Sequence, residues 1–247
     1  VALFTGHGGN ARAVADWVQW ALARLAPARP LRVLVVGVGA VGGLVAGRLA
    51  NAGHQLLACD PPLAQRAQTA AARDWIDLDV ALARDPDVVT LHVPLCESGP
   101  HATRWLLNAP RLHAWAKPGR LVVNAARGGV LDEDAALHLA AGGRLQLALD
   151  TFVGEPRPNR EAIAACALAT PHIAGHSIEG KLDVARRAVA GLCAWLGLPL
   201  PPPLWDEVTS ALARIEPAAD LAPDAALDRC TRDFQAQYLD AGTFERL

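Results

Sequence analysis

Short apolar runs alternate with longer stretches in which apolar side chains recur every three or four positions. The runs at 31–36, between Gly53 and Asp60, and at 87–93, 121–124, 145–149 and 167–169 predict buried strands. The periodic stretches predict helices. Val14, Trp17, Val18, Ala21, Leu22 and Leu25 fall on one face of the first, with Asn10 placed to cap it and Pro27 and Pro30 to end it. Ile178, Leu182, Ala185, Val189, Leu192 and Leu196 form the stripe of a long helix begun by Ser177. Helical segments are also expected after Gly42, after Pro61-Pro62, at 77–84, 103–107 and 110–116, after Asp132, and at 224–238. Strands alternating with helices at this spacing imply an α/β fold with a doubly wound parallel sheet and right-handed crossovers. Ligands of such sheets bind at the carboxyl ends of the strands.

The stretch 31–60 organises the rest. Its first strand runs directly into Gly37-Val38-Gly39-Ala40-Val41-Gly42, then a helix, a second strand and Asp60. Gly37 permits a sharp turn, Gly39 lets the backbone approach a pyrophosphate, and Gly42 lets the helix pack close to its strand. The helix start offers free N–H groups and a partial positive charge to the phosphates. Asp60 stands where a carboxylate accepts the adenine-ribose hydroxyls and repels a 2′-phosphate, so NAD is expected over NADP. Glycines at this spacing also make ordinary turns, but strand, spacing and acid agree here on a Rossmann-type dinucleotide site.

Composition narrows the class further. At 247 residues the chain can bury a sizeable core, and its net charge of −2 with no Lys/Arg run gives no case for nucleic acid or an anionic membrane. Without a membrane-length apolar run or a signal-peptide pattern, a cytoplasmic protein is expected. Cys59, Cys96, Cys166, Cys193 and Cys230 are scattered and form no CxxC pair, so buried reduced thiols are expected rather than disulfides or a metal site. Methionine is absent and Val stands first, which suggests a fragment or an unusual start; Thr5-Gly6-His7-Gly8-Gly9 reads as a hinge or a loose end.

The strand-end rule places Asp60, Arg127, Asp150 and His172 in one crevice, with Glu155 close behind. Singly, each has a bland reading: a solvated cation, a loop acid, a turn histidine. Together they supply what oxidation of a 2-hydroxy acid requires. His172 suits the proton transfer because imidazole titrates near neutrality, and a paired Glu155 favours its charged form. The fork of Arg127 can grip a planar carboxylate through two hydrogen bonds and hold C2 over the nicotinamide. The remaining histidines sit in an apolar strand (His92) or in ordinary loops and helices.

Residues 37–42, Asn124-Ala125-Ala126-Arg127-Gly128, Asp150 to Glu155-Pro156 and Pro171-His172-Ile173-Ala174-Gly175 together resemble the D-isomer-specific 2-hydroxyacid dehydrogenases, from about Gly8 to Leu196. Cys59-Asp60-Pro61-Pro62, Pro94-Leu95 followed by Gly99-Pro100, and the run 172–181 resemble the branch that acts on 4-phosphoerythronate in pyridoxal phosphate biosynthesis. The resemblance implies His172 as acid/base, Glu155 as its partner, Arg127 on the substrate carboxylate and beside the cofactor, and Asp150 near the nicotinamide carboxamide. It implies backbone contacts to NAD from Val93, Ala125, Ala126 and Gly175, with Val41 also at the cofactor. His176 is similar in position to a substrate-contacting tyrosine of that branch.

The resemblance also implies a division of the chain. Residues 1–30 would be a hinge and crossover helix, 31–175 the NAD-binding domain, 176–198 the return helix of an incomplete substrate domain, and 199–247 a linker and shortened dimerisation segment of a homodimer. Family members begin with a further lobe of roughly a hundred residues, a usual domain size. Its absence from these residues predicts an apolar surface on the helices of Trp17 and Ile178, and little turnover without it. Two other readings stand beside the leading one: a dehydrogenase of another 2-hydroxy acid (phosphoglycerate, glyoxylate or hydroxypyruvate), and a non-catalytic NAD-sensing module, against which the full Arg127–Glu155–His172 set argues.

Overall fold

The computed structural model describes residues 2–66, 76–201 and 232. In chain order the strands are β1 (Arg32–Val36), β2 (Gln55–Cys59), β3 (Val88–Leu91), β4 (Leu121–Asn124), β5 (Gln146–Leu149) and β6 (Leu168–Ala169). The helices are α1 (Ala11–Leu25), α2 (Ala40–Asn51), α3 (Pro61–Arg66), α4 (Leu78–Ala83), α5 (Ala109–Trp115), α6 (Glu133–Ala141), α7 (Arg160–Ala165) and α8 (Ile178–Leu196). The predicted helix at 224–238 and the segment 202–247 lie outside the described residues, apart from residue 232, as does most of the stretch after Pro61-Pro62.

All strand pairings are parallel, in the order β2-β1-β3-β4-β5-β6. Because helices cover both faces, the central strands are apolar at consecutive positions rather than alternate ones. Side chains alternate across the sheet, so one cluster takes Leu34, Val36, Val89, Val122 and Leu147 with Leu82, Leu112, Leu139 and Ile163 of the helices. The other takes Val33, Val35, Val88, Val123 and Ala148 with Val14, Trp17, Val18 and Leu22 of α1 and Val45 and Leu49 of α2. Removal of each such side chain from water contributes about 1.5–3 kcal/mol. The strand order reverses between β1 and β3, so the loops leaving them diverge and open a crevice at their carboxyl ends.

Helix starts follow the sequence reading where a side chain caps. Asp77 accepts from Asp79 and Val80 N–H, Asp132 from Ala135, and Ser177 from Gly180. Asn10 precedes α1 but makes no side-chain cap; its amide lies against Gly175 instead, where a Cβ would sit 2.7 Å from Nδ2.

Two further expectations are corrected. Residues 103–107 are not helical: Trp105 is left-handed (φ 49°), Thr103 Oγ1 donates to Pro94 O and accepts from Cys96 N–H, and Leu107 bridges to Leu131. Trp17 is 4% exposed, because α1 lies flat on the sheet and on α2, so it contributes no open apolar face. On α8 the expected open apolar face is present: among its residues only Gly180 is buried, and Ile178, Leu192, Trp195 and Leu196 remain exposed. Among the cysteines, Cys59 and Cys166 are buried free thiols as expected, whereas Cys96 and Cys193 are only half-buried.

A cleft of about 380 Å³ lies at the amino ends of the strands, away from the glycine turn, lined by Arg29, Asp85, Asp87, Lys117 and Arg120. Its charges satisfy one another: Arg120 bridges Asp85 and Asp87, Arg29 pairs with Asp87 and Lys117 with Asp85. It ties the strand starts together. The chemistry lies at the other end of the sheet.

Candidate active site

The glycine turn is built from the strand end upward. Gly37 N–H donates to Cys59 O at 2.8 Å, and its φ of +84° is one that L side chains rarely adopt. A Cβ at Gly42 would lie 1.8 Å from Gly37 O, so α2 starts pressed against the turn. Gly39 differs: its φ is −70° and no heavy atom lies within 4 Å of where its Cβ would be. Among the described residues nothing requires a glycine there, whereas a pyrophosphate crossing the start of α2 would.

Asp60 is already oriented toward the turn. Its Oδ2 accepts from Val38 N–H at 2.7 Å and Oδ1 from Leu63 N–H at 2.9 Å. Each carboxylate oxygen keeps a further lone pair, as two ribose hydroxyls require. Val93, after β3, packs against Gly37 and closes the crevice from the other side of the switch point. Val41 is half-buried on the first turn of α2. These residues fit a bound dinucleotide.

His92 underlies this turn, its carbonyl 2.6 Å from a Cβ position at Gly37. The ring bonds Thr90 Oγ1 through Nε2 at 2.9 Å while Nδ1 is buried without a partner, and burial pushes the imidazolium pKa down to about 4 from 6.5. Between those values the unfolded chain binds a proton that the folded chain refuses, so stability is lost as pH falls from about 6.5 to 4. Thermal melts across that window should show the decline, and His92→Leu should flatten it.

The second half of the site comes from the loops after β5 and β6. His172 Nδ1–H donates to Glu155 Oε2 at 2.7 Å, and Glu155 Oε1 accepts from Phe152 N–H at 2.8 Å. The loop carrying His172 is pinned by Asp150, 1% exposed, whose carboxylate accepts from Thr170 Oγ1, Ile173 N–H and Ala174 N–H. His172 itself is left-handed (φ 57°), with its N–H on Asp150 O at 2.9 Å. Burial pushes the Asp150 carboxyl above its ordinary range, against the pull of those hydrogen bonds. With Nδ1 held by Glu155, Nε2 is left for a substrate oxygen, on a ring whose side chain is 43% exposed.

Arg127 follows β4 on a turn held by Asn124, which accepts from Ala126 N–H and donates to Arg127 O. Its guanidinium is exposed and donates to Ala126 O at 2.6 Å; no hydrogen bond joins it to Glu155 or His172 among the described residues. Ala125 is half-buried and Ala126 buried on the same turn. The His176 ring stacks near that of His172, with centroids 6.4 Å apart. The structure thus joins Glu155, His172, His176 and Asp150 in one cluster, and Gly37, Gly42, Asp60 and Val93 in another. The loop-holding roles of Thr170 and Asn124 had no sequence signal, because a strand-end Thr or Asn announces nothing until its partner is known.

Comparison with known proteins agrees with this geometry. The profile described as "D-isomer specific 2-hydroxyacid dehydrogenase, NAD binding domain" matches residues 9–174. Erythronate-4-phosphate dehydrogenase of Pseudomonas paraeruginosa is 41% identical over 204 residues, covering 80% of this chain and 52% of that protein. The protein of the same name from Azotobacter vinelandii is 37% identical over 237 residues, covering 90% and 60%. The chain therefore spans about half the length of such relatives. Among solved structures, D-lactate dehydrogenase from Aquifex aeolicus, complexed with NAD and lactic acid, superposes with a TM-score of 0.60 at 22% identity, covering 76% of this chain and 67% of that one. D-mandelate dehydrogenase from Rhodotorula graminis gives 0.64 at 23%, covering 82% and 68%. The chain belongs to the D-isomer-specific 2-hydroxyacid dehydrogenases, of which it carries the NAD-binding domain.

Proposed function

We propose that the protein oxidises 4-phospho-D-erythronate to its 2-oxo acid with NAD, as a step toward pyridoxal 5′-phosphate. The observation that carries this reading is the 2.7 Å His172–Glu155 pair on the loops leaving the parallel sheet that bears the glycine turn. The choice of acid rests on the names of the relatives at 37–41% identity. We place the protein in the cytoplasm as a homodimer, on the sequence resemblance.

When bound, NAD accepts the hydride from C2. His172 Nε2 takes the hydroxyl proton, and Glu155 holds the ring in the tautomer that leaves Nε2 free while stabilising the imidazolium that forms. Arg127 swings from Ala126 O onto the substrate carboxylate and orients C2. His176, stacked beside His172, faces the remainder of the substrate.

The reading is tested by following NADH formation by the protein as its gene encodes it, with 4-phosphoerythronate, 3-phosphoglycerate, glycolate and glycerate. The expected result is a kcat/KM for 4-phosphoerythronate at least about a hundredfold above the others, roughly 2.8 kcal/mol of discrimination. A higher value for another acid would move the protein to that substrate. For the cofactor, titration should show NAD bound more tightly than NADP. Asp60→Ala should weaken NAD about tenfold and narrow the gap, since it removes acceptors for two hydroxyls and the charge that repels a phosphate.

A further inference from the structure

We propose that Glu133, the first residue of α6, is a positioning residue that holds the 152–155 loop where Glu155 can reach His172. The proposal rests on the reading of His172 and Glu155 as the acid/base pair and adds the group that aims it.

Glu133 is 8% exposed, and its Oε2 accepts from Val153 N–H at 2.9 Å. The adjacent Phe152 N–H donates to Glu155 Oε1. Two consecutive amides of one loop are thus taken by two carboxylates, one from α6 and one from the catalytic pair. Phe152 is anchored by burial at 3% exposure and by Gly128, where a Cβ would lie 2.1 Å from Phe152 O. Val153 has no such anchor: its side chain is 43% exposed, so the bond to Glu133 is its tether. Residue 153 lies between that anchor and Glu155, and its position sets the direction in which Glu155 leaves the loop.

Glu133 is a poor choice for stability alone. Among the described residues it has no cationic partner, and the ionisable groups facing it are Asp134 on its own helix, Glu155 on the loop and the buried thiol of Cys166 after α7. Burial pushes its carboxyl above the usual range, the Val153 N–H pulls it back, and the charges of Asp134 and Glu155 add to the rise. An apolar side chain of the same length would spare the fold a buried charge and give up one hydrogen bond to a residue that is itself exposed, whose N–H water can then take. The two roles therefore make opposite forecasts for Glu133→Met: a structural acid is missed by the fold, whereas a positioning acid is missed by the pair alone.

The test is proton NMR of the 247-residue chain, following the His172 Nδ1–H held by a carboxylate, alongside thermal melts. Glu155→Gln identifies the resonance by abolishing or displacing it. In Glu133→Met the resonance should exchange with water about tenfold faster at an undiminished melting temperature. Glu133→Gln, whose amide oxygen still accepts from Val153, should stay within about twofold of the parent. Unchanged exchange in Glu133→Met overturns the proposal, as does equal loss in Met and Gln, which would make charge the cause, or a fall in melting temperature in step with the resonance. A resonance indifferent to Glu155→Gln overturns the underlying pair instead.

Discussion

His172→Ala should lower turnover by about 10²–10⁴-fold and leave NAD affinity within about a factor of two. In the proposed reaction the ring takes the hydroxyl proton, through an Nε2 left free by the 2.7 Å bond from Nδ1 to Glu155. Its backbone, not its ring, holds the loop: His172 N–H is on Asp150 O, and Asp150 itself grips Ile173 and Ala174. Truncation therefore removes the acid/base group while the β6 loop keeps its path. Steady-state kinetics and calorimetric titration of NAD measure the two quantities separately. Turnover within a factor of about three of the parent would take His172 out of the mechanism.

Two glycines of one motif should respond oppositely to the same added methyl. Gly42→Ala puts a Cβ 1.8 Å from Gly37 O, so α2 must withdraw from the turn, at a cost of about 1–3 kcal/mol of stability and with loss of the dinucleotide site. Gly39→Ala meets no atom within 4 Å and should leave stability within about 0.5 kcal/mol, but its methyl enters the space a pyrophosphate needs, so NAD affinity should fall on the order of a hundredfold. Thermal melts and titrations on both variants separate a packing glycine from a ligand glycine. Normal NAD binding by Gly39→Ala would mean that the phosphates do not cross the start of α2.

What the sequence made legible was what a single chemical rule decides. The run 121–124 became β4 without adjustment because a strand buried on both faces needs consecutive apolar residues, here Leu121, Val122 and Val123 before Asn124 at the strand end. Asp132 and Ser177 capped as read, since a short side chain before an apolar period has one obvious N–H to accept. Asn10 did not, because Gly175 offered its amide a tertiary neighbour that no local pattern announces. The stretch 103–107 was expected to be helical, yet a left-handed Trp105 and the bridge from Leu107 to Leu131 won, which is tertiary contact overriding local preference. The order Arg127, Glu155, His172 suggested a chemistry, and of the three the geometry joins the last two. Glu133 was hidden because an acid in a first helical turn reads as a solvated partner of the helix dipole.

The central claim is that hydride passes between C2 of a 2-hydroxy acid and NAD in the crevice between the glycine turn and His172. The direct test supplies the protein, as its gene encodes it, with NAD and 4-phosphoerythronate deuterated at C2, and recovers the NADH for mass spectrometry. The account predicts NADH heavier by one mass unit, with the label on the nicotinamide ring. Unlabelled NADH with deuterium released to solvent, or no NADH at all, would contradict it.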